Sequence, residues 1–394
     1  MGSRIVKLRD EDGSGTAKAI QGELESAGES GGGEVILPPG RYRVDEGISI
    51  PAGVTLSGSW RGPHHSKGLL GTVIEATGGR GDTEDPPLID LGESSAVRGL
   101  TVLYPEQSIP GTEPYPPTIR SSGMHASVMD LTLVNPYWAI DLSRNHELHY
   151  IRNIFGCPLR KGIVIDGCTD IGRVENVHFN PHYWDRSGAE NRPDWKELLE
   201  YIWRNCEAFV VGRSDWEYHL NTFSFGCRVG YRFVESELGG CNGNFLGIAA
   251  DWARRALLVE NTFPFGVLVT NGQWVGGEGS EAMVETTSDF EGVVHLANNS
   301  FWGPAERVAI IDGDGIVSFS NCNFCEWDRE GKEFPAIDAR GGQLRIQGCN
   351  FKHPGLHLKA SGDLRSAIVM GCLFSGEPRI HNESYARLEM GLNL

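Results

Sequence analysis

Two carboxyl groups flanking a glycosidic bond can hydrolyse it, one protonated as the acid and the other acting as base or nucleophile. This sequence places acids of that kind on turns that vary and carry aromatics: YPEQ at 104–107, NPYW at 135–138, NPHYWD at 180–185, ADW at 250–252, GQW at 272–274, FWGP at 301–304 and CEWD at 325–328. The candidate catalytic acids are Glu106, Asp185, Asp215, Glu217 and Asp251, with Glu326 and Asp328 on the same set of turns. Six of the ten Trp fall there, namely Trp138, Trp184, Trp252, Trp274, Trp302 and Trp327. A flat indole face accepts the C–H face of a pyranose without needing charge, so Trp in a row would make a sugar-stacking groove. Tyr104, Trp138, His182, Tyr183, Trp184, Trp216, Trp252 and Trp274 are the candidate substrate-binding residues. The plainer alternative is that each Trp packs over its own turn.

One stretch concentrates these groups. Asp215 and Glu217 are two apart, so on a regular strand they face the same side. His182 and Asp185 stand at the other stem of the same insertion, and four titratable groups would then converge. Asp215 alternatively serves as one more structural turn acid. The insertion and its stems span 182–218. Residues 186–204 read as a lid, because a segment longer than its neighbours on a repeated scaffold is often functional. Within it, DWKELLEYIWRN predicts a short helix with Asp194 as N-cap, Glu197 three residues on, and Leu198, Tyr201 and Ile202 on one face.

The elements that must hold these turns are repeated. Short apolar segments end in an acid at Asp141, Asp166, Glu235, Glu260, Glu285, Asp312 and Asp338. Apart from the 69-residue jump from Asp166 to Glu235, the steps are 25, 25, 25, 27 and 26 residues. A second ladder runs in phase, at Phe179, Phe301, Phe324, Phe351 and Phe374. A period of twenty to fifty residues marks a solenoid. The repeated pieces, such as VMDLTLV, GIVIDG and RVAIIDG, are rich in Val and Ile and bounded by Gly, Asn and Asp, which is strand composition with turn chemistry. About eleven coils stacked at the usual spacing would extend on the order of 50 Å. An acid that recurs in every coil is scaffold, since catalysis needs its residue once. The segment 14–28, SGTAKAIQGELESAG, predicts an amphipathic helix covering the open edge of the first coil. The Pro-rich stretch 83–118 reads as a surface excursion between early coils, able to carry Glu106 towards the groove.

A capping helix, then GGGEVILPPGRYRV at 31–44, then ISIPAGVTLSG at 48–58, resembles the pectate-lyase-like right-handed β-helix superfamily. That resemblance implies an all-β, single-stranded right-handed parallel β-helix as one domain over 1–394. It also implies a carbohydrate-active enzyme, since the group includes polygalacturonase-type hydrolases, pectate lyases, fructotransferases and phage tailspikes. The polygalacturonase-type aspartates in NTD, DD and GHG motifs have no counterpart here: NTF at 221–223 lacks the Asp, and DD and GHG are absent. The leading expectation is a glycoside hydrolase acting on a neutral or weakly charged oligo- or polysaccharide. A polysaccharide lyase using Arg160, Lys161, His182, Tyr183 or Arg186 is the alternative, and a non-catalytic tailspike-like glycan binder is a third.

Composition narrows the partners. The net charge is −17, with 52 acids against 35 bases and no basic run, which argues against nucleic acid and favours a neutral substrate. No stretch approaches eighteen apolar residues, so no membrane partner is expected. GxSxG, HExxH and GxxxxGK[ST] are absent. Nine Cys cannot all pair, and Cys322, Cys349 and Cys372 recur two residues before a ladder Phe as a stacked interior row. Thiols of that kind, with no apolar leader segment at the start, lean towards a reducing, cytoplasmic compartment. Cys322 and Cys325 lack a second pair, so no metal and no cofactor is expected. A homo-oligomer such as a trimer accords with the fructotransferase-like members of the superfamily.

Overall fold

The computed structural model describes residues 3–5, 15–62 and 69–394. Its strands pair in parallel, coil upon coil, and the fold is an all-β right-handed parallel β-helix. The chain divides into two compact units, Met1–Ala208 and Phe209–Leu394.

In the first unit one ladder runs Ile48–Ile50, Ile89–Leu91, Pro117–Ser121, Trp138–Leu142 and Lys161–Ile165. A second runs Val54–Gly58, Ala96–Arg98, Ser127–Leu133, Tyr150–Gly156 and Arg173–Phe179. Their inward residues, among them Ile119, Ile140 and Ile163 on one side and Val128, Ile151 and Val174 on the other, are buried. Helix α1 (Thr16–Glu29) turns Ala17, Ile20, Leu24 and Ala27 inwards. The Gln21 amide exchanges two hydrogen bonds with the backbone of Ser49, N–H to Oε1 at 2.9 Å and Nε2 to carbonyl at 3.3 Å. It thus pairs backbone groups that an edge strand would otherwise leave to solvent. The expected helix began at Ser14, which lies outside the described residues.

The stretch 83–118 is corrected by the structure. It is not a continuous excursion, because Ile89–Leu91, Ala96–Arg98 and Thr101–Leu103 form a complete coil within it. These three-residue strands are too short for a periodic signal to survive among Pro and Gly. Residues 83–88 and 104–116 leave the ladders, on either side of that coil.

The second unit repeats the pattern from Val229–Phe233 through Arg255–Val259, Ala282–Thr286, Arg307–Ile311, Pro335–Ala339 and Leu356–Ala360. Its interior carries the expected rows. Phe301, Phe324, Phe351 and Phe374 stack with ring centroids 5.3, 4.5 and 4.8 Å apart. Cys322, Cys349 and Cys372 are buried beside them.

The strand-end acids are tied into the scaffold. Arg120 Nε lies 3.1 Å from Asp141, Arg232 Nη2 2.6 Å from Glu260, and Arg340 Nη2 2.7 Å from Asp338. Arg255 bridges Glu281 and Glu285. Asp166 and Asp312 accept the N–H of the following Gly, and Glu235 accepts from Asn261. Each carboxylate meets a donor on its own or an adjacent coil, which is what a repeated acid in a stacked sheet requires.

Candidate functional site

The outer face of three neighbouring strands in the first unit gathers polar and aromatic side chains. Asp130, Asn153 and Asn176 each adopt a left-handed backbone with φ of 56, 56 and 51°. Asn and Asp tolerate that conformation better than other side chains. Their side chains form a ladder, Asn153 donating to Asp130 and Asn176 to Asn153, both at 2.7 Å. This turn residue within each strand breaks the alternation: it and the residue before it both face outwards, the residue after it is buried, and the next faces outwards again. Two rows result. One is Met129, Arg152 and Glu175; the other is Thr132, Phe155 and His178.

Aromatic groups close around the second row. Trp60 donates Nε1–H to Thr132 Oγ1 at 3.0 Å and stacks on Phe155 with centroids 6.0 Å apart. Tyr183 meets Phe155 edge-on at 5.8 Å and shares a 2.9 Å hydrogen bond between its hydroxyl and His178 Nδ1. Burial pushes the Tyr183 phenol up, so it holds its proton. In the first row the Tyr150 hydroxyl donates to Glu175 Oε2 at 2.9 Å, and burial with that carboxylate raises the Tyr150 phenol. Trp60, Phe155, His178, Arg152 and Glu175 are all half-buried, with solvent on one side. Sequence reasoning missed them. The available signal was the Asp/Asn spacing of 23 residues from 130 to 153 to 176, which marks out the outward positions.

Helix α2 (His182–Asp185) borders this face. Asn180 Oδ1 accepts the His182 N–H at 2.9 Å and starts the turn. Of the expected residues on α2, Tyr183 meets this face, whereas His182 and Asp185 pair elsewhere. Asp185 is half-buried, 3.7 Å from the Arg186 guanidinium. Its carboxylate adds to the burial that pushes the Cys157 thiol up. The His182 ring stacks on Trp195, centroids 4.2 Å apart. Helix α3 (Trp195–Asn205) starts as expected: Asp194 accepts from the Lys196 and Glu197 amides, and Leu198 and Ile202 are buried. Between α2 and α3, Asn191 donates to the carbonyls of Tyr104 at 2.8 Å and Gln107 at 3.0 Å. The insertion is thereby tied to the turn that carries Glu106. Glu106 itself is exposed and paired with Arg80 at 3.3 Å.

Several expected binding residues are not placed for contact with a ligand. Trp184 in the first unit and Trp274 in the second are fully buried, as is Trp327. Trp274 spends its N–H on Asn299 Oδ1 at 2.9 Å. These indoles fill the space beneath their own turns, where a large apolar ring gains most from burial. Tyr104 is buried against Tyr115, its hydroxyl 2.9 Å from Thr118 Oγ1. A cavity of about 260 Å³ lies beside it, lined by Asp45, Glu46, Asp85 and Pro116. Trp138 is half-buried, with the Lys161 ammonium 4.2 Å from its ring centroid and its N–H on the Ile140 carbonyl.

The second unit separates Asp215 from Glu217. The ladder shifts register between Ser214 and Glu217, and Trp216 takes a left-handed backbone with φ 56°. The extra residue of such a bulge cancels the period of two. Asp215 turns outwards to Arg213 at 2.8 Å, whereas Glu217 is buried, accepting from Ser214 Oγ at 2.6 Å with His219 Nε2 3.4 Å away. Glu217 is thus an interior polar group. Trp216 is exposed, and Trp252 is half-buried with φ 53°. Asp251 precedes Trp252, and burial raises its carboxyl.

No protein-family profile and no curated protein matches the chain. Solved structures do match in fold. The A-module of a mannuronan C-5 epimerase from Azotobacter vinelandii is 14% identical, over 96% of this chain and 94% of that one, with a TM-score of 0.51. The catalytic domain of an alpha-1,3-glucanase in complex with nigerose is 10% identical over 98% and 68%, with a TM-score of 0.52. The tailspike protein of an E. coli bacteriophage, in complex with a hexasaccharide, is 12% identical over 95% and 74%, also at 0.52. At these identities the likeness concerns the right-handed β-helix alone.

Proposed function

We propose that this protein is a carbohydrate-active enzyme, a glycoside hydrolase that takes a neutral or weakly charged glycan across the outer sheet face of its first unit. The observation that carries the reading is the half-buried row of Trp60, Phe155 and His178, bordered by α2 with Asp185 and sharing a strand with Glu175. Ring edges and faces of this kind receive the apolar side of a sugar, and carboxyls beside them supply the chemistry. Hydrolysis assigns one of Asp185 and Glu175 as the acid and the other as base or nucleophile. Support also comes from the glucanase and the tailspike of similar fold, both seen with bound oligosaccharides.

One observation favours a second reading. The Tyr183–His178 pair transfers a proton without a carboxylate, and Arg152 and Arg186 supply cations for the acid group of a uronate. That set suits β-elimination, the polysaccharide-lyase chemistry. A panel of neutral and uronate-containing glycans separates the readings. A hydrolase releases reducing ends with no ultraviolet-absorbing product, a lyase generates the unsaturated uronate, and a binder retards in affinity gels without turnover. For the hydrolase, Asp185→Asn should lower turnover by about 10²–10⁴-fold while glycan retention persists. If Asp185→Asn and Glu175→Gln both turn substrate over normally, the site lies elsewhere.

A further inference from the structure

The loop joining Trp138–Leu142 to Tyr150–Gly156 carries His146 and His149, and the equivalent turn of the next coil carries Cys168. His146 and Cys168 face each other in an isolated parallel bridge. All three are buried, at 4, 1 and 0% exposure. One nitrogen of each imidazole and the Cys168 sulfur lie within 4.8 Å of one another. His146 Nε2 and His149 Nδ1 are 2.9 Å apart. We propose that His146, His149 and Cys168 form a binding site for a transition-metal ion of borderline softness, zinc being the natural occupant.

Three features argue for this. First, a thiolate with two imidazoles is the ligand set that zinc takes, at about 2.3 Å to sulfur and 2.0–2.1 Å to nitrogen. Second, His146 is already oriented as a ligand. Its Nδ1 lies 2.6 Å from the Arg144 carbonyl, which can only accept, so the proton sits on Nδ1 and the lone pair of Nε2 points into the cluster. Metal-bound histidines characteristically donate their other nitrogen in this way. Third, the coil repeat does not call for an imidazole at position 149. The backbone hydrogen bonds Tyr150 N to Ala126 O and Arg173 N to His149 O place Ala126, His149 and Gly172 at one position of three successive coils. The coils on either side manage with Ala and Gly, so the bulky imidazole of His149 has no packing precedent there.

Binding forms bonds from the metal to His146 Nε2, to a His149 nitrogen and to Cys168 Sγ. The thiol gives up one proton to solvent, and a proton on the ligating His149 nitrogen moves to the other nitrogen of the ring. Three protein ligands leave a fourth position for water or a small ligand. Glu147, whose carboxylate accepts from Thr169 Oγ1 at 2.7 Å, and exposed Asp170 stand at the rim and favour cation entry. The site staples two consecutive coils, independently of the glycan chemistry proposed above.

The test is titration of the untagged full chain, stripped with chelator, with cobalt(II) and then zinc. One equivalent of cobalt should produce a thiolate charge-transfer band that zinc abolishes, and X-ray absorption of the zinc form should show one sulfur among nitrogen ligands. Cys168→Ser and His149→Ala should each weaken cobalt binding by about 100-fold or more, since even outer-shell changes cost 10–100-fold. Cys325→Ser, in the second unit, should change nothing. His149→Ala installs the residue of the preceding coil and is expected to fold. Binding below one equivalent, no sulfur in the metal's shell, or unaltered affinity in His149→Ala would each overturn the proposal, leaving a hydrogen-bonded imidazole–thiol cluster.

Discussion

At the scale of single residues, type was legible and direction was not. Trp184, Trp274 and Trp327 sit at the turns where the sequence places them, yet their indoles point into the fold. Burial of a Trp is worth more than its exposure, and only a ligand would repay the difference. Asp215 and Glu217 illustrate the same gap, because one left-handed residue at Trp216 reverses a face assignment that a period of two would guarantee. The grouping of His146 with Cys168 was not legible because they are 22 residues apart, about one coil length, which no linear motif spans. Asp251 offers a prediction at this scale. Its folded-state carboxyl is raised by burial, so the native state holds its proton to higher pH than the unfolded chain. Between the ordinary aspartate value of about 3.9 and the folded value, stability falls as pH rises, and the full cost of the buried charge is present above both. Asp251→Asn should therefore be more stable than the parent at neutral pH, with the advantage fading as pH drops towards 4. Urea midpoints measured across that range check it; an advantage that persists undiminished in acid would assign the effect to packing.

At the scale of elements, strands and caps were legible because their signals are local. Asp194 with Glu197 three residues on describes α3 correctly, and the helix over the first coil is displaced from its expected bounds by little. The segment 83–118 failed for the converse reason, since three-residue strands carry too few side chains to show a period. The anchoring of the insertion was also hidden, resting on one side chain more than eighty residues away in sequence. Asn191 donates to the carbonyls of Tyr104 and Gln107, and removing both bonds should cost about 1–3 kcal/mol. Asn191→Ala is expected to lower the unfolding midpoint by that amount and to speed amide exchange in 186–194, while exchange in Tyr150–Gly156 stays slow. Were protection in the insertion unchanged, the contacts of α3 alone would be holding it.

At the scale of the whole molecule, the repeat declared the architecture, because each coil must bury its inward row against the next and the same residue types return at the same place. The Phe and Cys rows and the acids tied to Arg all follow from that demand. What the repeat conceals is which outward positions gather unlike side chains, and the outer face around Phe155 is such a place. Net charge is a property of this scale as well. With 52 acids against 35 bases, the chain repels a polyanion at long range. Salt screens that repulsion, since the Debye length shrinks from about 30 Å at 0.01 M to about 10 Å at 0.1 M. A neutral oligosaccharide should therefore bind with an affinity that changes less than about twofold over that range, because its association lacks a net Coulomb contribution. A polyuronate should bind more tightly as salt is added, its repulsion falling away until the local Arg152 and Arg186 dominate. Affinity gels or calorimetry at the two ionic strengths measure both. Tight polyuronate binding at low salt that weakens with added salt would mean a local cationic site outweighs the global charge, and would move the assignment from hydrolase to lyase.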